Sequence, residues 1–339
     1  MPRTKYFTGK FEEMFSYQSL MRSWFEFQNG KKKKTDVADF TLRLSQNIFD
    51  LAEEMKKEDY KHGGYKYFKI REPKIRDIHK ATVRDRIVHH AIYQSVYAYF
   101  DRFFIFDSYS CRLEKGTHRA LDRFKIFVRK ENQNHTKTTW ILKGDIRKCF
   151  ASVNHQILKQ IIGKYINCPK LLKVINSVID SFPEGIPLGN LTSQLFINVY
   201  LNEFDQHLKR VLKVKKYIRY ADDFVIFSRD KKYLENLIPQ IELFLAETLK
   251  LKLHSHKVFI KTSASGVDFL GWVHFEKYRI LRTKTKDRMY QRIFPETKLE
   301  VILSYLGLLS YGNTYKIKQN LLEKISDLGQ STIKLDKIR

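Results

Sequence analysis

Three aspartates are the residues of this chain whose spacing could do chemistry. Asp222 and Asp223 are adjacent within Lys216-Tyr217-Ile218-Arg219-Tyr220-Ala221-Asp222-Asp223-Phe224-Val225-Ile226-Phe227-Ser228. Two carboxylates held close repel each other, and the repulsion favours a shared proton or a divalent cation. Asp145 ends the apolar run Trp140-Ile141-Leu142-Lys143-Gly144-Asp145-Ile146. If the segments carrying these acids lie side by side, the three carboxylates cluster and could hold two divalent metals. Such a pair would activate a hydroxyl nucleophile and stabilise a leaving pyrophosphate. Mg²⁺ suits carboxylate oxygens together with substrate phosphates, with Mn²⁺ as a substitute. Asp-Asp between two strands also has a plain reading as turn chemistry, so the rest of the chain has to decide.

The elements that must position these acids are legible in outline. The runs flanking Asp222-Asp223 are short and rich in Tyr, Ile, Val and Phe, which predicts a β-hairpin with the acids at its tip. The run ending at Asp145 reads as a buried strand, followed by a helix over 154–165 with Ile157, Leu158, Ile161 and Ile162 on one face. Gly185 to Gln194 is a Gly/Pro loop opening onto a long helix that carries Leu195, Phe196, Val199 and Leu208; a helix N-terminus there is a natural anion or template site. Upstream, Phe40, Leu44, Ile48 and Leu51 recur at helical spacing, and the preceding Lys31 to Lys34 form a solvated loop or a phosphate-contacting arm. Residues 65–78 read as a second hairpin, on which Lys69 and Arg76 could meet across the strands and grip a triphosphate. The next helix carries Ile87, Ala91, Ile92, Val96 and Phe100; its His89-His90 pair, with no third ligand at helical spacing, reads as packing and hydrogen bonding. A helix over 231–250, kinked or started by Pro239, leads through His254 to Lys257 into a third hairpin candidate at Gly266–Phe275. Beyond Lys277 the pattern is basic, helical and dotted with tyrosines.

Charge narrows the partners. The chain has 339 residues, with 63 Lys and Arg against 37 Asp and Glu, a formal +26 that favours a polyanion, nucleic acid first. Cys111, Cys149 and Cys168 show no CxxC spacing, so neither a metal nor a disulfide framework is expected and a reducing compartment fits. Met-Pro-Arg-Thr-Lys lacks a signal peptide's apolar run, and no stretch approaches the roughly eighteen apolar residues of a membrane span. The expectation is a soluble, cytoplasmic protein.

The order of strand-Asp145, Gly loop and helix, Tyr220-Ala221-Asp222-Asp223, Lys257 and then Phe269-Leu270-Gly271-Trp272 resembles reverse transcriptases, over about residues 65–275. The resemblance implies an α+β right-hand polymerase: an N-terminal extension and fingers over 1–110, a palm of antiparallel sheet plus helices over 111–275, and a short helical thumb over 276–339. It implies metal binding by Asp145, with Ile146 beside it, Asp222 and Asp223, of which Asp222 is the direct ligand and Asp223 more a support. Lys257 matches a lysine that protonates pyrophosphate. Lys69, Lys74 and Arg76 match the cations that hold an incoming dNTP, and Phe150 the ring that blocks a ribose 2′-hydroxyl. Leu188, Gly189 and Gln194 belong to the loop that supports the nucleotide, and Phe269 to Trp272 resemble the primer-grip turn.

The branch is suggested by Leu188-Gly189-Asn190-Leu191-Thr192-Ser193-Gln194, where many members have QGxxxSP. The change to SQ resembles the reverse transcriptases of diversity-generating retroelements, as do Ser108–His118, Glu72–Arg76 and Arg86–His90, and no room is expected after the thumb for the maturase and endonuclease extensions of group II intron proteins. That branch copies a template RNA into cDNA with frequent errors opposite adenines, for replacement of a variable repeat in a target gene, with a small basic helical accessory protein as partner. The source expected is a prokaryotic cell or a phage. The alternatives are a group II intron-like, defence-associated or CRISPR-associated reverse transcriptase and, in another class, a non-catalytic RNA-binding protein on a polymerase scaffold.

Overall fold

A computed structural model describes residues 6–71, 75–293 and 299–328. Lys74 therefore lies outside the described residues. The chain divides into two compact units, one built from 1–116, 143–226 and 235–259, the other from 117–142, 227–234 and the chain from 260 onward. No described helix is long and apolar enough to cross a membrane.

In the first unit the helix Tyr17–Gln28 is capped by Ser16, whose side chain accepts from the Ser19 N–H, and buries Leu20, Trp24 and Phe27. The single helix expected through Phe40 and Leu51 is two helices, Thr35–Leu42 and Leu44–Lys56, broken at Arg43. The break lets Phe40 stack on Trp24 at 5.3 Å while Ile48 and Leu51 bury elsewhere. Asn47 Nδ2 donates to the Phe40 carbonyl at 2.9 Å, giving a partner to a group left over at the interruption. Helix Val83–Asp101 is capped by Thr82 and buries Ile87, Ala91, Ile92, Val96 and Phe100, as their spacing requires. His89 stacks on His62 with ring nitrogens 3.1 Å apart, and His90 packs edge-on against Phe27, so both serve the core.

The hairpin of β1 (Tyr65–Ile70) and β2 (Arg76–Ala81) forms as expected, but its register corrects one expectation. Lys69 pairs with Asp77, and Arg76 with Ile70. Successive pairs project to opposite faces of a two-stranded ribbon, so Lys69 and Arg76 do not meet. Phe68, Ile78 and Lys80 turn to one side and line a cavity; Tyr67 and His79 turn to the other, where His79 packs on Phe182.

Strands β3 (Trp140–Asp145), β4 (Tyr217–Tyr220), β5 (Asp223–Ser228) and β6 (Phe259–Thr262) form a sheet in the order β4-β5-β3-β6. The long helix Leu191–Gln206 buries Leu195, Phe196 and Val199. Helix Lys231–Thr248 runs through Pro239, which lies inside it rather than at its start. Gly144 is obligatory in β3, because a Cβ there would lie 2.2 Å from the Phe224 ring.

In the second unit, β7 (Val267–Phe269), β8 (Trp272–His274) and β9 (Arg279–Leu281) form an antiparallel meander. Leu270 and Gly271 join β7 to β8 with φ of 52° and 85°, the pair of positive dihedrals a two-residue turn demands. Phe269 and Trp272 are buried, and Trp272 packs with Leu281, Met289, Ile293, Ile302 and Leu309 around the C-terminal helices. Both aromatic residues of the expected primer-grip turn are therefore core residues.

Gly144→Ala should destabilise the protein by about 1–3 kcal/mol, the usual cost of overpacking. Urea titration of the variant checks this; an unchanged midpoint would contradict the packing of Phe224 on β3.

Candidate active site

The register of β4 and β5 pairs Tyr220 with Asp223, leaving Ala221 and Asp222 as a two-residue loop. The two aspartates are thus unequal: Asp222 is in the loop, and Asp223 is the first residue of β5. Ala221 adopts φ of 53°, a left-handed conformation that costs a non-glycine residue about 1 kcal/mol. Asp145 closes β3 and is nearly buried at 7% exposure. The next residue docks the loop: the Ile146 N–H donates to the Asp222 carbonyl at 3.0 Å. On the other side of β3, the His254 N–H donates to the Asp145 carbonyl at 2.8 Å and Arg147 N–H to Lys252 at 2.8 Å. Three main-chain segments therefore meet where the acids sit.

Electrostatics follows from that crowding. The Asp222 carboxyl is pushed up to about 6, first by burial and then by the charges of Asp223 and Asp145. Two lysines offset the negative charge. Lys257 Nζ lies 2.9 Å from each oxygen of Asp145, and Lys143 Nζ lies 3.6 Å from Asp223. The donor set suits a divalent cation, since it consists of carboxylates and the Lys257 ammonium already bridges the oxygens of Asp145 as a bound cation would. Ile146 has no ligating side-chain atom and could contribute only its main-chain carbonyl. Among the described residues no three acidic, histidine or cysteine side chains converge as a formed metal cage.

The other expected residues fall around this centre or away from it. After Lys148, at φ of 46°, the chain makes a short 3₁₀ turn, Cys149–Ser152, that carries Phe150 half-buried. The Phe150 carbonyl accepts from Ile186 N–H at 2.9 Å, tying this turn to the Gly/Pro loop. Leu188 is half-buried and its carbonyl accepts from His79 N–H at 3.1 Å. Gly189, at φ of 108°, has room for no side chain, since a Cβ would lie 2.7 Å from Ile78. Asn190, expected only as part of the loop, stitches it to β2: its Oδ1 accepts from Ala81 N–H at 3.2 Å and its Nδ2 donates to His79 at 2.8 Å. Gln194 is exposed and lines a cavity with Lys31, Lys34, Lys80 and Arg86. Lys69 Nζ reaches Asp77 at 3.9 Å, and Arg76 stands exposed on the opposite face of the ribbon.

Two residues with a part in this geometry escaped the sequence reading. Lys143 precedes Asp145 by two positions on a strand, so strand alternation alone puts both on one face. Arg219 is a lone cation in an apolar strand, a signal that a buried partner must exist.

The chain matches the family model described as reverse transcriptase (RNA-dependent DNA polymerase) over residues 56–274, well over half its length, and belongs to that family. It is 26% identical over 255 residues to protein YkfC of Escherichia coli, covering 63% of this chain and 65% of that protein. It is 22% identical over 271 residues to the group II intron-encoded protein LtrA of Lactococcus lactis, covering 59% of this chain and 44% of LtrA. The matched region thus spans less than two thirds of either relative. Among solved structures it resembles telomerase from Candida albicans in complex with a fragment of telomeric RNA, with a TM-score of 0.54 at 11% identity over 83% of this chain and 57% of that one. A C-terminally truncated apo telomerase from Candida tropicalis gives a TM-score of 0.51 at 15% identity over 65% of this chain and 55% of that one. The fold is the α+β right-hand polymerase fold.

Cys149 is buried within reach of the acids' charge, and burial, then the charge of Asp222, pushes its thiol far up. In the folded protein iodoacetamide should label the exposed Cys111 and spare Cys149 until denaturant is added. Peptide mass mapping reads this out, and equal labelling of both would refute the buried placement.

Proposed function

We propose that this chain is an RNA-directed DNA polymerase that copies template RNA into cDNA. The observation that carries this reading is the Ile146-to-Asp222 main-chain bond at 3.0 Å, which brings a strand-end carboxylate beside a hairpin-loop carboxylate within a reverse transcriptase domain. Asp145 and Asp222 would hold Mg²⁺, with Asp223 in support and Lys143 steadying it. Bound Mg²⁺ would activate the primer 3′-oxygen and neutralise charge on the dNTP. The chemistry would join that oxygen, its proton lost to solvent, to the α-phosphorus and break the bond to the β-phosphate, releasing pyrophosphate. Lys257, whose ammonium already reaches Asp145, would give the departing pyrophosphate a proton. Phe150 would block a ribose 2′-hydroxyl. Lys69 and Arg76, on opposite faces of their ribbon, cannot clamp one phosphate from both strands; Lys74 is the third cation of that set.

The partner reading is template RNA and the cDNA/RNA duplex. It is supported by a cavity of about 500 Å³ whose lining includes Lys31, Lys34, Lys80 and Arg86 against a single carboxylate, Asp36. We divide the chain functionally into fingers within 1–110, palm over 111–275 and thumb over 276–339.

Within the family, the Leu188-to-Gln194 loop favours the diversity-generating branch, with error-prone copying at template adenines, mutagenic retrohoming and a small basic accessory protein. Where other members carry Gln, Leu188 offers the nascent pair no polar contact, and each 1.4 kcal/mol of lost discrimination is about tenfold in error. A group II intron-like reverse transcriptase is the second reading, favoured by the likeness to LtrA.

Primer extension on an RNA template should proceed with the natural chain and fall by about a thousandfold or more in Asp222→Ala, a loss of roughly 4 kcal/mol of transition-state stabilisation. Equal activity in both would reject the assignment. Leu188→Gln should lower misincorporation opposite template adenines, read by sequencing the cDNA; an unchanged error spectrum would sink the branch argument.

A further inference from the structure

Arg219 is the largest charged side chain sealed in the first unit, at 0% exposure, and the polymerase chemistry above gives it no task. A guanidinium has five N–H donors in a rigid fork, and here each has an acceptor. Nε donates to Asp205 Oδ1 at 2.7 Å, and Nη2 to Asp205 Oδ2 at 2.7 Å and to Ser108 Oγ at 3.1 Å. Nη1 donates to Asn198 Oδ1 at 3.3 Å and to the Ala221 carbonyl at 3.2 Å. Asp205 is itself fully buried and is held from a second side by the Tyr217 hydroxyl at 2.8 Å. The main chain of Arg219 is tied down as well: its N–H donates to Asp107 at 3.0 Å and its carbonyl accepts from Tyr109 N–H at 2.9 Å.

The fifth contact is the informative one. Ala221 is the left-handed residue that aims Asp222, and nothing in an alanine side chain favours that dihedral. The loop's two carbonyls are each gripped by one donor: Asp222 by the Ile146 N–H at the end of β3, and Ala221 by the Arg219 guanidinium from beneath. The charge of Arg219 is balanced at contact distance by Asp205, so its influence on Asp222 passes through the Ala221 carbonyl rather than through a field.

We propose that Arg219, braced by Asp205 and Tyr217, is a positioning residue that locks the Ala221-Asp222 loop in the conformation that presents the Asp222 carboxylate for metal. This rests on the polymerase reading above. A lysine at 219 keeps the charge but has three N–H groups on a single nitrogen and cannot both chelate Asp205 and reach Ala221.

The test uses the full chain without nucleic acid, titrated with Mn²⁺ while free Mn²⁺ is counted by electron paramagnetic resonance, and then primer extension. Asp222→Asn comes first: if Mn²⁺ binding does not respond to it, the metal reading itself fails, whatever Arg219 does. If it responds, Arg219→Lys should weaken Mn²⁺ binding by about fivefold or more and lower kcat by about tenfold, with KM for dNTP within about twofold, the signature of a contact that serves the reacting geometry. Should Arg219→Lys fail to fold, Arg219→Gln with Asp205→Asn removes both charges together and avoids stranding one in the core; the same losses are expected. Leu171→Ala, which makes a cavity in the helix Pro169–Asp180 away from the loop, is the control for general destabilisation and should leave Mn²⁺ affinity unchanged. Wild-type Mn²⁺ affinity and kcat in either folded Arg219 variant, or an equal loss in Leu171→Ala, would overturn the proposal.

Discussion

Like-charged carboxylates do not gather unless a backbone forces them together, and much of the first unit is arranged around that constraint. Asp145 at the end of β3, Asp222 in the β4–β5 loop and Asp223 at the start of β5 are held by strand pairing and by the bond from Ile146 to Asp222. The cost shows in the raised protonation range of Asp222. It is offset locally by Lys257 on Asp145 and Lys143 on Asp223.

The surrounding packing makes that arrangement rigid. Gly144 lets the Phe224 ring lie flush on β3, so the strands bearing the acids approach without a gap. Beneath the loop, Arg219 and Asp205 form a fully buried pair with every guanidinium donor engaged. Such a pair contributes little net stability compared with a well-packed apolar core, but breaking it by removing one partner is costly. The Gly/Pro loop is held in the same manner, by Asn190 reaching across to β2 and by Gly189 against Ile78. Rigidity here comes from directional hydrogen bonds at chosen points, with the apolar core supplying the bulk of the stability around them.

Local pattern made much of this legible. Alternating Tyr, Ile, Val and Phe around Asp222 read as two strands, and the apolar run before Asp145 as a third. Long helices followed their apolar spacing. Departures arose where a distant contact outweighed a local one. The helix through Phe40 breaks at Arg43 because Phe40 is drawn to Trp24, a pull invisible in the spacing of its neighbours. Lys69 and Arg76 looked like partners because each lies on its own strand, yet register sends them to opposite faces. Nothing local to Asn190 showed that its side chain would reach β2 instead of capping the helix at Leu191.

The sequence by itself determined the chemistry available: three acids on strand-like segments and a net positive charge that favours a polyanion. Those are properties of residue type and local period, which neighbouring positions alone dictate. The tertiary structure decided which groups touch. It placed Asp222 in the loop and Asp223 on β5, put Lys143 and Lys257 on the acids, and turned a lone arginine in an apolar strand into a brace for the loop. Those outcomes depend on distances between segments far apart in the chain, and such distances are set only when the whole core closes.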